Sequence, residues 1–143
     1  MERSLVFIKP DAMQRGLAGE IISRLESKGL KIVAMKMLRM DKALAQRHYA
    51  VHKDKPFFNE LVDFVTSGPV IAMVLQDDDA VKVIRQTMGE TDPAKALPGT
   101  IRGDFGGDVS HNLIHGSDSV ENAGSEIAIF FSAEEIVDPF IEF

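Results

Sequence analysis

One short stretch of the chain gathers chemistry by residue type alone: Asn112-Leu113-Ile114-His115-Gly116-Ser117-Asp118. A neutral imidazole is a good nucleophile toward phosphorus and holds the transferred group as a high-energy phosphoramidate. His115 stands in an expected loop beside a glycine, just ahead of a helix N-terminus that would favour an arriving negative charge. Ser117 and Asp118 are placed to orient the ring or to cap that helix. Glu126, on the same short helix, is a candidate acceptor that would fix the imidazole tautomer. Alone, a histidine in a loop is more often a surface group, so the stretch needs support from the rest of the chain.

The elements that must position it follow from pattern. A strand is expected over 4–8, ending at Lys9-Pro10-Asp11. A helix over 18–28 carries Ile21, Ile22 and Leu25 on one face and stops at Gly29. A second strand spans 30–38. Asp41 caps a helix to about residue 51, with Leu44, His48 and Val51 on one face and Ala45, Tyr49 and His52 on another. A further helix covers 57–66, with Phe58, Leu61, Val62 and Val65 available for packing. The third strand, 70–75, is apolar throughout and so is covered on both faces. Asp78 or Asp79 caps a helix that stops at Gly89. Residues 90–117 are rich in Gly and Pro and read as a long irregular segment, which in a small domain usually signals function. Asp118-Ser119-Val120-Glu121 starts a short helix, in which Gly124 costs ~1 kcal/mol relative to Ala. A fourth strand is expected over 127–131 and a last helical turn over 133–137. Stripped of insertions this is βαββαβ: an α+β, ferredoxin-like plan with a four-stranded antiparallel sheet and helices packed on it, in one domain spanning 1–143.

Composition narrows the function classes. The chain has no cysteine, which excludes disulfides, thiolate metal sites and a cysteine nucleophile together. A formal charge of −6 disfavours generic nucleic-acid binding but leaves room for small phosphorylated ligands, which need only a local positive cluster. The longest apolar run, 70–75, is too short to cross a bilayer, and the N-terminus lacks the pattern of a secretory signal. A cytoplasmic location is expected. No G-x-x-x-x-G-K-[ST] loop is present, so side chains must supply the charge that phosphates need.

The motifs around His115 resemble those of the nucleoside diphosphate kinase family, and the resemblance spans nearly the whole chain. Asn112-x-x-His115-Gly116-Ser117-Asp118 is similar to that family's active-site signature. Lys9-Pro10-Asp11 resembles its opening motif, and His48-Tyr49-x-x-His52-Lys53-x-Lys55-Pro56-Phe57-Phe58 its middle one. Thr66-Ser67-Gly68-Pro69-Val70, Gly89-Glu90-Thr91-Asp92-Pro93 and Pro98-Gly99-Thr100-Ile101-Arg102-Gly103-Asp104-Phe105 follow in the family's order. The resemblance implies a ping-pong reaction. The γ-phosphate of a triphosphate such as ATP passes to His115, as a pros-phosphohistidine, and then to a second nucleoside diphosphate. It implies that Lys9 and Asn112 contact the ribose and phosphate chain, and that Arg85, Thr91 and Arg102 hold phosphates. It further implies that Phe57 stacks on the base beside Leu61 and Val109, that Tyr49 and His52 line the pocket, and that Ser117 and Glu126 support His115. Mg²⁺ would ride on the nucleotide phosphates, with no dedicated protein ligands. The family assembles as tetramers or hexamers. Pro93 and Pro98 shape the loop it uses at a threefold contact, and Phe140, Ile141 and Phe143 form an apolar tail, so a homo-oligomer is expected, with a hexamer favoured.

Several residues have plainer readings. His48, on the Leu44 face, is expected to be structural or interfacial, and His111 solvent-exposed. Arg85 sits in a helix's last turn, where it would also favour the dipole. Arg102-Gly103-Asp104 reads as a turn with an internal ion pair, Asp77-Asp78-Asp79 as capping, and the methionines as core filler. Two functional alternatives remain: a ferredoxin-like RNA-binding or regulatory module, and a phosphohistidine carrier serving protein partners.

Overall fold

In the computed structural model, which describes residues 1–139, the unbroken apolar runs of the central strands become a two-faced core. Strand β1 (Glu2–Ile8) leads through Lys9 into a short helix, α1 (Pro10–Gln14), with proline at its first position, where no N–H is needed. Helix α2 (Ala18–Glu26), strand β2 (Lys31–Leu38) and helix α3 (Lys42–His48) follow, the last capped by Asp41, whose carboxylate accepts from the Leu44 N–H at 2.8 Å. Then come α4 (Phe58–Val65), β3 (Val70–Asp77), α5 (Ala80–Met88), α6 (Ile101–Phe105), β4 (Ile114–Gly116) and α7 (Val120–Phe130).

The four strands lie in the order β2-β3-β1-β4, every pair antiparallel. Leu5 and Phe7 of β1 and Val70, Ala72 and Val74 of β3 pack with Ala45, Tyr49, Val62, Val65 and Phe130 on one face. Val6, Ile8, Met73 and Leu75 pack with Ile21, Leu25, Ile84, Met88 and Ile101 on the other. The sheet is therefore sandwiched, as the unbroken apolar run of β3 predicts.

Five expectations are corrected. The fourth strand is not 127–131 but Ile114–Gly116, so His115 lies in a strand and not in a loop. Residues 127–130 finish α7, where Ala123, Ile127 and Phe130 face the core at helical spacing. A short apolar run fits both periods, and here the segment Ile114–Gly116 already occupies the edge beside β1. The helix from Asp41 ends at His48 and tightens into a 3₁₀ turn over Ala50–His52. Asp79 makes no side-chain cap; instead Asp77 accepts from the Asp79 N–H, and Glu2 reaches across to the Val81 N–H at 2.8 Å. Asp104 does not pair with Arg102 but with Arg24, at 2.7 Å, and with the Gly99 N–H. Met40, Met73 and Met88 are core residues, whereas Met35 and Met37 are exposed on the edge strand β2. The apolar tail residues Phe140, Ile141 and Phe143 lie outside the described residues.

Candidate active site

The first motif and the histidine motif are one structural unit. The Lys9 N–H donates to the Leu113 carbonyl at 2.9 Å, the Lys9 ammonium donates to the Asn112 side-chain oxygen at 2.7 Å, and the Asp11 carboxylate accepts from the Leu113 N–H at 3.1 Å. This grip holds Leu113 at φ +75°, in the left-handed region that a leucine rarely adopts and that costs about 1–3 kcal/mol. The kink turns Asn112 toward Lys9 and delivers His115 to β4, opposite Phe7 of β1. Asp11 is thus a functional residue that sequence reasoning missed. Its place in Lys9-Pro10-Asp11 was the available signal.

Gly116 is fixed by close approach. A Cβ there would meet the Met88 sulfur at 2.6 Å and Ile84 Cγ2 at 2.9 Å. The glycine lets β4 settle on α5, while its neighbour His115 points to the other face. There the imidazole stacks on Phe7, with ring centroids 4.8 Å apart and planes 21° from parallel. His48 stands edge-on to it at 4.6 Å. Nε2 of His115 is hydrogen-bonded to the Glu126 carboxylate, and Nδ1 of His48 lies 3.8 Å from the same carboxylate. Burial holds the Glu126 carboxyl above its usual range, and His48 and then the Ser117 hydroxyl beside it partly offset that shift. The other acceptor near that hydroxyl, the Leu5 carbonyl, is at 3.5 Å, the limit of a hydrogen bond.

The positive side is built from α6 and the loops it ties together. Arg102, 5% exposed, donates to three carbonyls: Asn112 at 3.1 Å, Gly89 at 3.2 Å and Ile114 at 2.6 Å. Asn112 in turn donates to the Thr91 carbonyl at 3.0 Å. A cleft of about 420 Å³ opens between these groups, a size suited to a small-molecule ligand. Lys9, Arg85, Thr91, Arg102 and Asn112 line it together with Tyr49, His48, His52, Glu126 and His115.

Electrostatics favour a neutral nucleophile and a charged cradle. Burial, reinforced by Lys9 and Arg102, holds the His115 imidazole well below its usual range, so the ring is neutral near pH 7. Burial and His115 do the same for His48. Burial and then Arg102 bring the Lys9 ammonium down to about 8. Burial and then Glu126 push the Tyr49 phenol up, so it stays protonated and able to donate.

Of the sequence-predicted residues, Lys9, Tyr49, His52, Arg85, Thr91, Arg102, Asn112, His115 and Glu126 meet in the cleft, and Ser117 lies buried behind it. Phe57, Leu61 and Val109 are not among the lining residues. Phe57 is 43% exposed, with its ring 5.6 Å from His52; Val109 is 56% exposed; and Leu61 packs toward the core. His48 lines the cleft and, in keeping with its structural reading, packs edge-on against Phe7, Tyr49 and Phe130. His111 is exposed, as expected, and pairs with Asp108 at 2.9 Å.

Comparison with known proteins places the chain and its fold. The family described as nucleoside diphosphate kinase matches residues 2–136. The chain belongs to the nucleoside diphosphate kinase family. It is 59% identical over 138 residues to the nucleoside diphosphate kinase of Archaeoglobus fulgidus, covering 96% of this chain and 91% of that one. Its fold superposes on a Halobacterium salinarum nucleoside diphosphate kinase, solved in complex with CDP, with a TM-score of 0.93 at 57% identity over 96% of this chain and 91% of that one. A family protein from Babesia bovis gives 0.94 at 45% identity, covering 96% and 93%. The ferredoxin-like architecture is shared with these relatives. The protein is accordingly a phosphotransferase that moves the γ-phosphate of a nucleoside triphosphate to a nucleoside diphosphate through a phosphohistidine.

Proposed function

We propose that His115 is the phosphate-carrying histidine and that Nδ1 is its reacting atom. The supporting observation is the bond between Nε2 and Glu126. A neutral imidazole has one proton and one lone pair; with the proton on Nε2 and donated to Glu126, the lone pair sits on Nδ1. Nδ1 attacks the γ-phosphorus, the P–Nδ1 bond forms, and the bond to the β,γ-bridging oxygen breaks with its electrons leaving on the diphosphate. The positive charge that develops on the ring is offset by Glu126, which Ser117 orients. A second diphosphate reverses these events.

Lys9, Arg85 and Arg102 supply the positive charge that phosphoryl transfer needs, with Thr91 and Asn112 as further donors. Tyr49 and His52 complete the lining. Phe57 offers a stacking face at the cleft mouth, with Leu61 and Val109 near it, and stacking tolerates every base. Mg²⁺ enters on the nucleotide phosphates. The cleft's carboxylates are Asp118, which is exposed, and Glu126, already engaged by His115, so the donor set is not an oxygen cage of its own. The CDP held by the Halobacterium relative supports a diphosphate in this cleft. The chain acts as one domain over 1–143, in the cytoplasm, and assembles as a homo-oligomer. A hexamer is favoured over a tetramer on the loop that Pro93 and Pro98 shape.

The test is phosphoenzyme trapping. Incubation with γ-labelled ATP and Mg²⁺ is expected to give an acid-labile, base-stable label that moves to added GDP. His115→Ala should carry none. A label that persists in His115→Ala overturns the assignment of the nucleophile.

A further inference from the structure

Behind the nucleophile lies a set of groups that phosphate transfer does not fully use. His48 has a side chain only 3% exposed, and its Nδ1 has no hydrogen-bond partner. A buried imidazole nitrogen left unpaired is costly, and such exceptions call for an explanation. That nitrogen faces Glu126 at 3.8 Å. One ligand atom from each of His48, His115 and Glu126 falls within 4.8 Å of the others. Two neutral imidazoles and one carboxylate are the donor set of many three-ligand zinc sites.

We propose that Nδ1 of His48, Nε2 of His115 and the Glu126 carboxylate form a binding site for a borderline-soft divalent cation such as Zn²⁺, and that filling it switches the nucleophile off. Zinc–nitrogen and zinc–oxygen bonds of about 2.0–2.1 Å put tetrahedral ligands roughly 3.3 Å apart. His48 and Glu126 must close slightly, and Glu126 must release its direct bond to Nε2. The ring's lone pair then binds the ion from Nε2, and its single proton passes to Nδ1. No proton is gained or lost by either imidazole. Nδ1, now N–H, has no lone pair for phosphorus. Mg²⁺ does not compete, because it prefers oxygen ligands and keeps its waters. The regulatory half of the inference rests on Nδ1 of His115 being the reacting atom; the binding half does not.

The test has two readouts on the full, nucleotide-free chain. Co²⁺ as a spectroscopic probe is expected to give visible d–d bands at one equivalent, abolished by one equivalent of Zn²⁺. These bands should be lost in His48→Gln and, independently, in His115→Asn. Bands that survive both variants overturn the site. In the second readout, Zn²⁺ added with excess Mg²⁺ and labelled ATP should slow phosphoenzyme formation, reversibly on chelation. Each protein is measured against its own metal-free rate, and His48→Gln should need at least tenfold more Zn²⁺ for the same fractional loss. Equal sensitivity in His48→Gln overturns the proposal. A wild-type chain that labels normally yet binds no Co²⁺ defeats this inference and leaves the phosphohistidine assignment standing. Co²⁺ bands in a chain that never labels keep the metal site and defeat that assignment.

Discussion

At the inner end of the cleft, each group is held by several others. Arg102 bridges three backbone carbonyls, Asn112 is clamped between Lys9 and Thr91, and His115 is stacked on Phe7 and bonded to Glu126. At the outer end, where the base is proposed to lie, Phe57 and Val109 are 43% and 56% exposed, and the Phe57 ring lies tilted to that of His52 with centroids 5.6 Å apart. The difference separates two tasks. Transfer between phosphates requires fixed charge and a fixed lone pair, because its catalysis is mostly positioning. Accepting many bases requires a surface that any base can lie on, and rigidity there would only select. The strained Leu113 belongs to the inner end, where enough hydrogen bonds surround it to hold an unfavourable backbone.

The sharpest way to break the comparison uses two arginines of equal charge. Arg102 is buried and bonded; Arg85 is exposed at the last turn of α5. Replacing Arg102 with Met should lower kcat/KM by roughly 10²–10³, as for removal of one preorganised donor. It should also cost roughly 2–4 kcal/mol of stability, because three carbonyls lose their donors. Arg85→Met should lower kcat/KM without a comparable loss in denaturant unfolding. If both variants unfold like the wild type, the carbonyl bonds of Arg102 do not hold the inner end together.

A second, smaller effect follows from Lys9. Its ammonium, brought down to about 8 by burial and then by Arg102, is charged below that pH and neutral above it. For the free enzyme, kcat/KM should therefore fall about tenfold per unit above pH 8, while kcat at saturation holds further into alkali because bound phosphates keep the ammonium charged. The stability term has the opposite sense. The unfolded chain binds the extra proton between about 8 and the ordinary 10.5, so the cost of burying Lys9 relaxes as pH rises through that window. An alkaline limb unchanged in Lys9→Met would assign the titration elsewhere.

The same inner–outer division explains what was legible in the sequence. The apolar strand runs, the helix stops at glycine and the cap at Asp41 are local, and they placed most of the sheet and its helices. The motif residues of the inner end came from the resemblance to the family: taken alone, His115 reads as a surface histidine and Arg85 as a helix-end charge. What escaped depends on contacts distant in sequence. β4 is three residues long, too short to show a period, and exists because β1 offers it an edge. The run 127–131, apolar enough for either element, went to the helix. Asp11 became visible only once Leu113 was seen to need its carboxylate. That His48 also lines the cleft escaped because its helical face is shared with Leu44, and nothing local revealed that α3 ends against Glu126.

The smallest expected effect tests the outer end itself. Phe57→Ala removes a half-exposed ring whose proposed stacking partner is the base, so the loss should be one of binding, about five- to tenfold in KM, with kcat nearly unchanged. Because a π-face is common to all bases, the loss should be similar for adenine, guanine, cytosine and uracil nucleotides. Phe57→Tyr should restore KM, since it keeps the face and adds a hydroxyl that solvent can take. Steady-state kinetics with four diphosphates as acceptors decides this. A large loss confined to purines would mean that the outer end discriminates by contact area. A fall in kcat equal to the rise in KM would mean that Phe57 helps set the phosphate's position, and the two ends would no longer be separable.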